Sequence, residues 1–447
     1  MIRRATPHEN RSKLSSTFTI ICFLILLWNS SLYLSRAQQN IFPSVSSSDA
    51  NVNVVGINQP TLPFHTRVSI LISTRDDAYI YSIFGHAAVR VQNYEKGTDD
   101  VYNYGVFDMS RPGFVTSFIS GHIDQYMVCK EPFSTYISEY LYRGSDIYEL
   151  YLNLPSQTAV DIANYLEWNI KPENMYYLYN EAFDNCATRL YSLLEKHLPN
   201  HSIHLSAVPL TWRQAIYDEA KDYPWFIFGL DLAWGSLADK KMTPKEQLFL
   251  PTRMYAILKS AYITDNQGGD QKTLVTQIHK YSRLNPGTQP QKTPWWKHPE
   301  FLLIIIWMLY ACSSFTARRT RSKFVSNLNN FFSSALLLGT AIIGGVLFFL
   351  SFCSIHPFTA PNINLLVFHP VHLLAIPSIW GKWKDNKVAK SLRFIIFVSL
   401  VVHGISLPLM GINCIILFID LTLLTVYRNI DRQFCKKEKK NSSLFTI

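Results

Sequence analysis

Tyr177–Leu194 reads YLYNEAFDNCATRLYSLL. Downstream of its centre, Asp184-Asn185-Cys186, the apolar residues Ala187, Leu190, Tyr191 and Leu194 recur at a period of about 3.6 residues, which predicts a helix with one apolar face. Upstream the run is aromatic and polar, and it reads as loop. Cys186 therefore falls in the first turn of a helix. Backbone N–H groups there have no intrahelical acceptor, and the helix dipole is positive. Both effects stabilise a thiolate, which is the nucleophilic form of cysteine.

A cysteine nucleophile needs a base. The best candidate is His86 in Ser82–Val91, SIFGHAAVRV. Gly85 frees the backbone to turn or to approach another strand closely just before the histidine. Ala87, Val89 and Val91 alternate with Ala88 and Arg90, so His86 opens a strand. The next strand-like run, Asp100–Phe107, is DVYNYGVF and carries Asn103 between two tyrosines. An amide accepting from the imidazole N–H fixes the ring's tautomer and orientation. Asn103 is the candidate for that role, with Asp108 as a rival. A structural reading stands beside the catalytic one: a cysteine at a helix start is more often a packing residue. Cys186 and Cys129 are also the only cysteines between the apolar ends, so an exported domain could pair them.

The pieces FGHAAVRV, VYNYGVFD and DNCATRL, with SDIYELYLN (Ser145–Asn153), FGLDL (Phe228–Leu232) and FLP (Phe249–Pro251), together resemble the Lnb N-terminal periplasmic domain family. That family is similar to the circularly permuted NlpC/P60 (papain-like) superfamily, in which the histidine precedes the cysteine. The resemblance covers about residues 65–260. It implies an α+β papain-like domain with Cys186 as nucleophile, His86 as base and Asn103 as third residue. It also implies a lipoprotein N-acyltransferase of Bacteroidota. Such an enzyme moves an acyl chain from a membrane phospholipid to the α-amine of the lipidated N-terminal cysteine of a diacylated lipoprotein.

The whole chain fits a membrane enzyme. Of 447 residues, 48% are hydrophobic and only 17% charged, low for a soluble protein. The net charge of +10 is carried beside apolar runs, which argues against nucleic-acid binding. There is no zinc-like cysteine pair or phosphate-binding glycine loop, so no metal or cofactor is expected. Residues 1–37 combine Arg3, Arg4, Arg11 and Lys13 with the apolar Phe18–Leu34 and the small residues around Arg36, a signal peptide or an uncleaved anchor. Residues 38–64 are rich in Ser, Asn and Gln and read as a flexible tether. Residues 65–265 form the exported catalytic domain, built on a small mixed sheet. Trp212–Phe228 reads as a second helical subdomain, and Gly229-Leu230-Asp231 with Asp239 are candidates to line the cleft. Residues 266–300 read as linker, 301–430 as a bundle and 431–447 as a basic cytoplasmic tail.

Apolar runs at Phe301–Phe315, Phe331–Phe352, Ile363–Trp380, Phe394–Met410 and Cys414–Tyr427 predict an all-α bundle of five spans. Lys and Arg collect at Arg318–Lys323, Lys382–Arg393 and Lys436–Lys440, whereas Ser354–Pro361 and Gly411–Asn413 have none. By the positive-inside rule this puts the exported domain outside and the basic loops inside; the family resemblance implies that the domain is periplasmic and the bundle lies in the inner membrane. Polar residues in apolar runs are costly and mark sites or interhelical hydrogen bonds. Asn362, Asn364, His369 and His372 are therefore candidates for binding a lipid headgroup, with packing as the equal alternative. His403 and Asp420 read as packing groups. Five spans suggest that the substrate lies in the bilayer. A tethered cell-wall peptidase or amidase, and a non-enzymatic lipid-binding protein, are the rival functions.

Overall fold

The computed structural model describes residues 66–76, 80–108, 112–265, 271–284, 293–320, 322–383, 387–409 and 416–442. The expected signal peptide and tether, Gly411–Asn413 and the last five residues of the tail lie outside them. The described chain divides into two compact units. One holds the described parts of Leu62–His298 and Ile342–His369, and the other those of Pro299–Ala341 and Pro370–Ile447.

The first unit is built on a seven-stranded sheet. Its strands are β1 (Thr66–Ser73), β2 (His86–Asn93), β3 (Thr98–Val106), β4 (Ile123–Pro132), β5 (Ile147–Leu152) and β6 (Tyr176–Tyr179), with an edge strand at Val275–Tyr281. Their spatial order puts Val275–Tyr281 beside β5, then β1, β2, β3, β4 and β6. Every pairing is antiparallel, so the expected mixed sheet is corrected. β1 reads as a nearly continuous apolar run because it is buried on both faces: Val68, Ile70 and Ile72 enter one core and Leu71 the other. Two further corrections concern the sheet's edges. The stretch before Cys186, read as loop, supplies β6. The segment read as a linker supplies Val275–Tyr281, whose mostly exposed, polar TQIHK interior hides a strand from hydrophobic patterning.

Three helices cover the sheet, after a short fourth that stays at the surface. α1 (Phe114–Ser120) lies before β4, and α2 (Phe133–Tyr142) covers one face through Tyr136 and Tyr140. α3 (Ser156–Asn169) and α4 (Cys186–His197) cover the other through Ala159, Ile162, Leu166, Leu190 and Leu194. The periodicity expected of the segment after Cys186 is the buried face of α4. β7 (His201–His204) pairs with β8 (Tyr262–Asp265), which pairs with β9 (Lys272–Thr273) in a small second sheet; the edge strand Val275–Tyr281 is β10. α5 (Trp212–Ala220) and α6 (Pro224–Ala233) form the expected helical subdomain, followed by α7 (Pro251–Leu258). Into its core comes Phe358, whose ring centroid lies 4.8 Å from that of Trp212 and 5.1 Å from that of Trp234.

The second unit is helical. α8 (Pro299–Arg319), α9 (Lys323–Phe352) and α11 (Lys387–Leu409) are long; α10 (Ile376–Ile379) is short, and α12 (Leu417–Ser442) closes the described chain. The last turns of α9, from Ile342, belong with the first unit. Among the described residues three helices, α8, α9 and α11, are long and apolar enough to cross a membrane. Ile363–Trp380, expected to be one span, is broken into 3-10 turns at Ile363–Leu366 and Pro370–Ala375 and then α10. Pro370 and Pro377 have no N–H to donate, so the run does not form one continuous helix. α12 loses its apolar character after Tyr427, where Arg428, Asp431 and a run of lysines begin. Inside this unit polar residues pair with one another: Tyr310 with Ser333 at 2.7 Å, and His403 Nδ1 with Asp420 Oδ2 at 2.8 Å. The latter contact bears out the packing role expected of His403 and Asp420.

Candidate active site

Cys186 is the first residue of α4, where the sequence put it. Asn185 caps the helix. Its Oδ1 accepts from the N–H groups of Ala187 (2.9 Å) and Thr188 (3.0 Å), and its own N–H donates to Thr188 Oγ1 (2.8 Å). The reciprocal pair is a capping box. The Asn185 amide also donates to two main-chain oxygens, Glu181 O and Phe249 O, each at 2.8 Å. Every hydrogen-bonding group of this nearly buried side chain is committed, which fixes the chain immediately before the thiol. Asp184 adds a second hold through its ion pair with Arg189, whose guanidinium lies 3.6 Å from the Tyr177 ring centroid.

His86 begins β2 opposite Ser73 of β1. Gly85, at φ 72°, makes that pairing possible: a Cβ there would lie 2.3 Å from Ser73 O. Gly105 acts on the other side. It sits at φ 91° where the β3–β4 register slips, a bulge that bends the strand beside the thiol. A Cβ at Gly105 would lie 3.8 Å from Cys186 Cβ and 4.0 Å from both His86 Cε1 and the Tyr177 hydroxyl. These distances bring cysteine, histidine and tyrosine around one point.

The histidine is oriented by Asn103. Its Nε2–H donates to Asn103 Oδ1, and Asn103 Nδ2 donates in turn to Glu131 Oε1 at 3.3 Å. This leaves Nδ1 for the thiol. Asp108, the rival for the orienting role, is exposed beyond the end of β3. The Tyr140 ring stacks on the imidazole at 6.0 Å. Burial pushes the Cys186 thiol up, but the His86 charge, the hydrogen bond between the two, and the N–H groups of Ala87 and Ala187 outweigh it, so the pKa falls below the usual thiol value. Burial acts to lower the His86 pKa, and the Cys186 charge with the bonds to Cys186 and Asn103 raises it overall. The pair is therefore biased towards thiolate and imidazolium. Cys129 and Cys186 are both free thiols, which answers the suspicion of a disulfide.

Two protein-family profiles match this chain: the Lnb N-terminal periplasmic domain over residues 66–218, and the Lnb transmembrane domain over residues 291–438. The chain belongs to the Lnb family. It is thus a membrane protein with an Lnb-type periplasmic domain, and the first match contains Cys186, His86 and Asn103. No curated protein and no solved structure matches the chain.

The expected headgroup residues are not brought together in a free site. Asn362 donates to Leu232 O (2.8 Å) and Ala233 O (3.0 Å), and Asn364 donates to Asp231 O (2.7 Å) and Leu232 O (3.1 Å). These are the carbonyls that a helix end leaves unpaired, here the end of α6. Both asparagines are thus corrected from ligands to clamps. His372 is buried against the Tyr427 hydroxyl at 2.7 Å, also a packing role. His369 is half-buried and precedes the 3-10 turn, so the helical face it was expected to share with His372 does not form. Asp231 and Asp239, candidates for the cleft, instead pair with buried Arg213 at 3.1 and 2.7 Å. Sequence reading missed Tyr177, whose buried hydroxyl has no hydrogen-bond partner among the described residues, and Glu131, which backs Asn103. The glycine within YNYGVF was the available signal for the bulge.

Proposed function

We propose that this Lnb-family protein is a lipoprotein N-acyltransferase of the bacterial inner membrane, working through a thioester on Cys186. The observation that carries the proposal is the thiol of Cys186 at the start of α4, bonded to an imidazole that Asn103 orients. We further propose that the domain is papain-like, of the circularly permuted NlpC/P60 type, since His86 precedes Cys186 in the chain. Five membrane crossings are part of the proposal: Ile363–Trp380 is a broken crossing and α12 the last, in keeping with the basic loops at Arg318–Lys323 and Lys382–Arg393.

In the first half-reaction the Cys186 thiolate attacks an ester carbonyl of a membrane phospholipid. The carbon–sulfur bond forms, and the carbonyl oxygen takes up the negative charge. Donors near that oxygen are the Cys186 N–H at the helix start and the Tyr177 hydroxyl. The carbon–oxygen bond then breaks, His86 gives its proton to the departing alkoxide, and lysophospholipid leaves. In the second half-reaction the α-amine of a diacylated lipoprotein's N-terminal cysteine attacks the thioester. His86 takes the proton from nitrogen, the amide forms and the thiolate returns. Asn103 keeps the imidazole in the tautomer that both steps need.

The test is transfer itself. The full-length protein in phospholipid vesicles is mixed with a diacylated lipopeptide bearing a free α-amine. The proposal requires a mass gain of one acyl chain on that amine, lost in Cys186→Ala. A protein that leaves the lipopeptide unchanged but cleaves cell-wall peptide would overturn it.

A further inference from the structure

Helix α1 buries none of its residues although its sequence, FVTSFIS, is apolar. Val115 is 66% exposed, Phe118 50% and Ile119 46%. An apolar patch that water is left to cover marks a membrane or ligand contact. The patch has a fixed address. α9, long and apolar enough to cross a membrane, ends at Phe352, and the chain just beyond it is tied to α1. The Ile355 N–H donates to Ser120 O at 2.9 Å, and His356 Nε2–H donates to Phe118 O at 2.9 Å. His356 Nδ1–H donates to Glu181 Oε1 at 3.0 Å. Both partners are acceptors, and the bond to Glu181 outweighs burial, so the His356 pKa is raised above the ordinary imidazole value. Phe352 and Ile355 are themselves 67% and 50% exposed. α1 is thus fastened to the chain just beyond the end of a helix long and apolar enough to cross a membrane.

From α1 a row of aromatic rings leads inward. Phe118 stacks on Phe114 (6.3 Å between centroids), Phe114 on Phe107 (5.5 Å) and Phe107 on Tyr126 (4.8 Å). Tyr126 stacks on Tyr179 (4.1 Å), and Tyr179 lies 6.5 Å from Tyr177, which borders the thiol. The row joins the exposed apolar surface of α1 to the nucleophile. Its phenylalanines and tyrosines offer a wall of aromatic rings, with charge only towards its inner end, where Glu181 acts on Tyr126 and Tyr179 and the Arg189 guanidinium lies over the Tyr177 ring.

We propose that α1 and this row of rings form the path of the donor's acyl chain: a fatty acyl chain of a membrane phospholipid leaves the bilayer along Val115, Phe118 and Ile119 and lies along the rings with its ester at Cys186. This rests on the thioester reading above and gives it a donor site. The experiment separates the two. Full-length Cys186→Ala protein in phosphatidylethanolamine vesicles is irradiated with a phospholipid carrying a diazirine in its acyl chain. Cross-links on peptides spanning residues 107–126 are expected; cross-links confined to the membrane helices would overturn the path, whatever the chemistry at Cys186. In wild type, replacing Val115, Phe118 and Ile119 together by serine should slow acylation of Cys186 by phospholipid about tenfold more than acylation by soluble p-nitrophenyl acetate, the scale on which one or two lost methylene contacts discriminate substrates. Equal effects on the two donors would also overturn it. If wild-type Cys186 takes no acyl group from phospholipid, the thioester reading fails, and the cross-links alone decide the path.

Discussion

Replacing Asn185 by aspartate separates the two tasks of that residue. Asn185 is 5% exposed, its Oδ1 caps α4, and its Nδ2 serves two main-chain oxygens. Aspartate is as good a helix cap as asparagine, and its charge suits the helix N-terminus, so the capping task survives. The other task does not. A carboxylate oxygen would face Glu181 O and Phe249 O at the positions where Nδ2 now donates at 2.8 Å. Each buried carbonyl left without its donor costs about 1–3 kcal/mol. The substitution should therefore destabilise the domain by about 2–5 kcal/mol, proton uptake by the aspartate relieving part of the upper limit. Asn185→Ala loses the cap as well, worth about 1 kcal/mol, but leaves space for water to reach the two oxygens. Aspartate should thus be at least as harmful as alanine although it caps far better. The assay is urea unfolding of the full-length protein in detergent, followed by tryptophan fluorescence, with the three midpoints compared at one protein concentration. An aspartate variant at the wild-type midpoint would refute the reasoning, because the cap alone would then account for Asn185.

The thiolate of Cys186 is lost as pH falls through its lowered pKa, and the imidazolium of His86 is lost as pH rises through its raised one. Iodoacetamide should therefore alkylate Cys186 well below pH about 8.5, where a free thiol titrates, and His86→Ala should move the inflection upward; identical profiles would show that the two groups do not interact. Asn103→Ala should narrow the window between the two inflections while leaving the fold intact by circular dichroism, because the imidazolium loses its acceptor. Gly105→Ala should lower the unfolding free energy by about 1–3 kcal/mol through the positive φ alone, since the added methyl meets Cys186 Cβ only at ordinary contact distance; an unchanged unfolding midpoint would contradict this.

The catalytic candidates were legible because each sits where a local pattern changes. Cys186 follows a capping asparagine and opens an apolar helical face, and His86 follows a glycine and opens an alternating strand. Asn103 was legible from its place in a strand next to that of His86 in sequence, since neighbouring strands usually pair. Tyr177 was hidden because a four-residue edge strand of aromatics has no readable period. β10 was hidden because only Val275 of its seven residues is buried. The reading of Asn362 and Asn364 failed for a different reason. A polar residue beside an apolar run looks the same in sequence whether it meets a ligand or a helix end. Only the fold brings the α6 carbonyls to those amides. The same holds for Asp231 and Asp239, whose partner Arg213 lies on a different helix from either. Long-range pairs between charged groups leave no periodic trace.

The central claim is that Cys186 carries an acyl group. The direct measurement is peptide mass spectrometry of the full-length protein after incubation with phospholipid vesicles and no amine acceptor, with a rapid acid quench to hold the thioester. The account predicts a mass gain of one fatty acyl chain on the peptide containing Cys186, removed by neutral hydroxylamine and absent in Cys186→Ala. A Cys186 peptide that stays unmodified while the same sample transfers acyl chains to an added lipopeptide would contradict it.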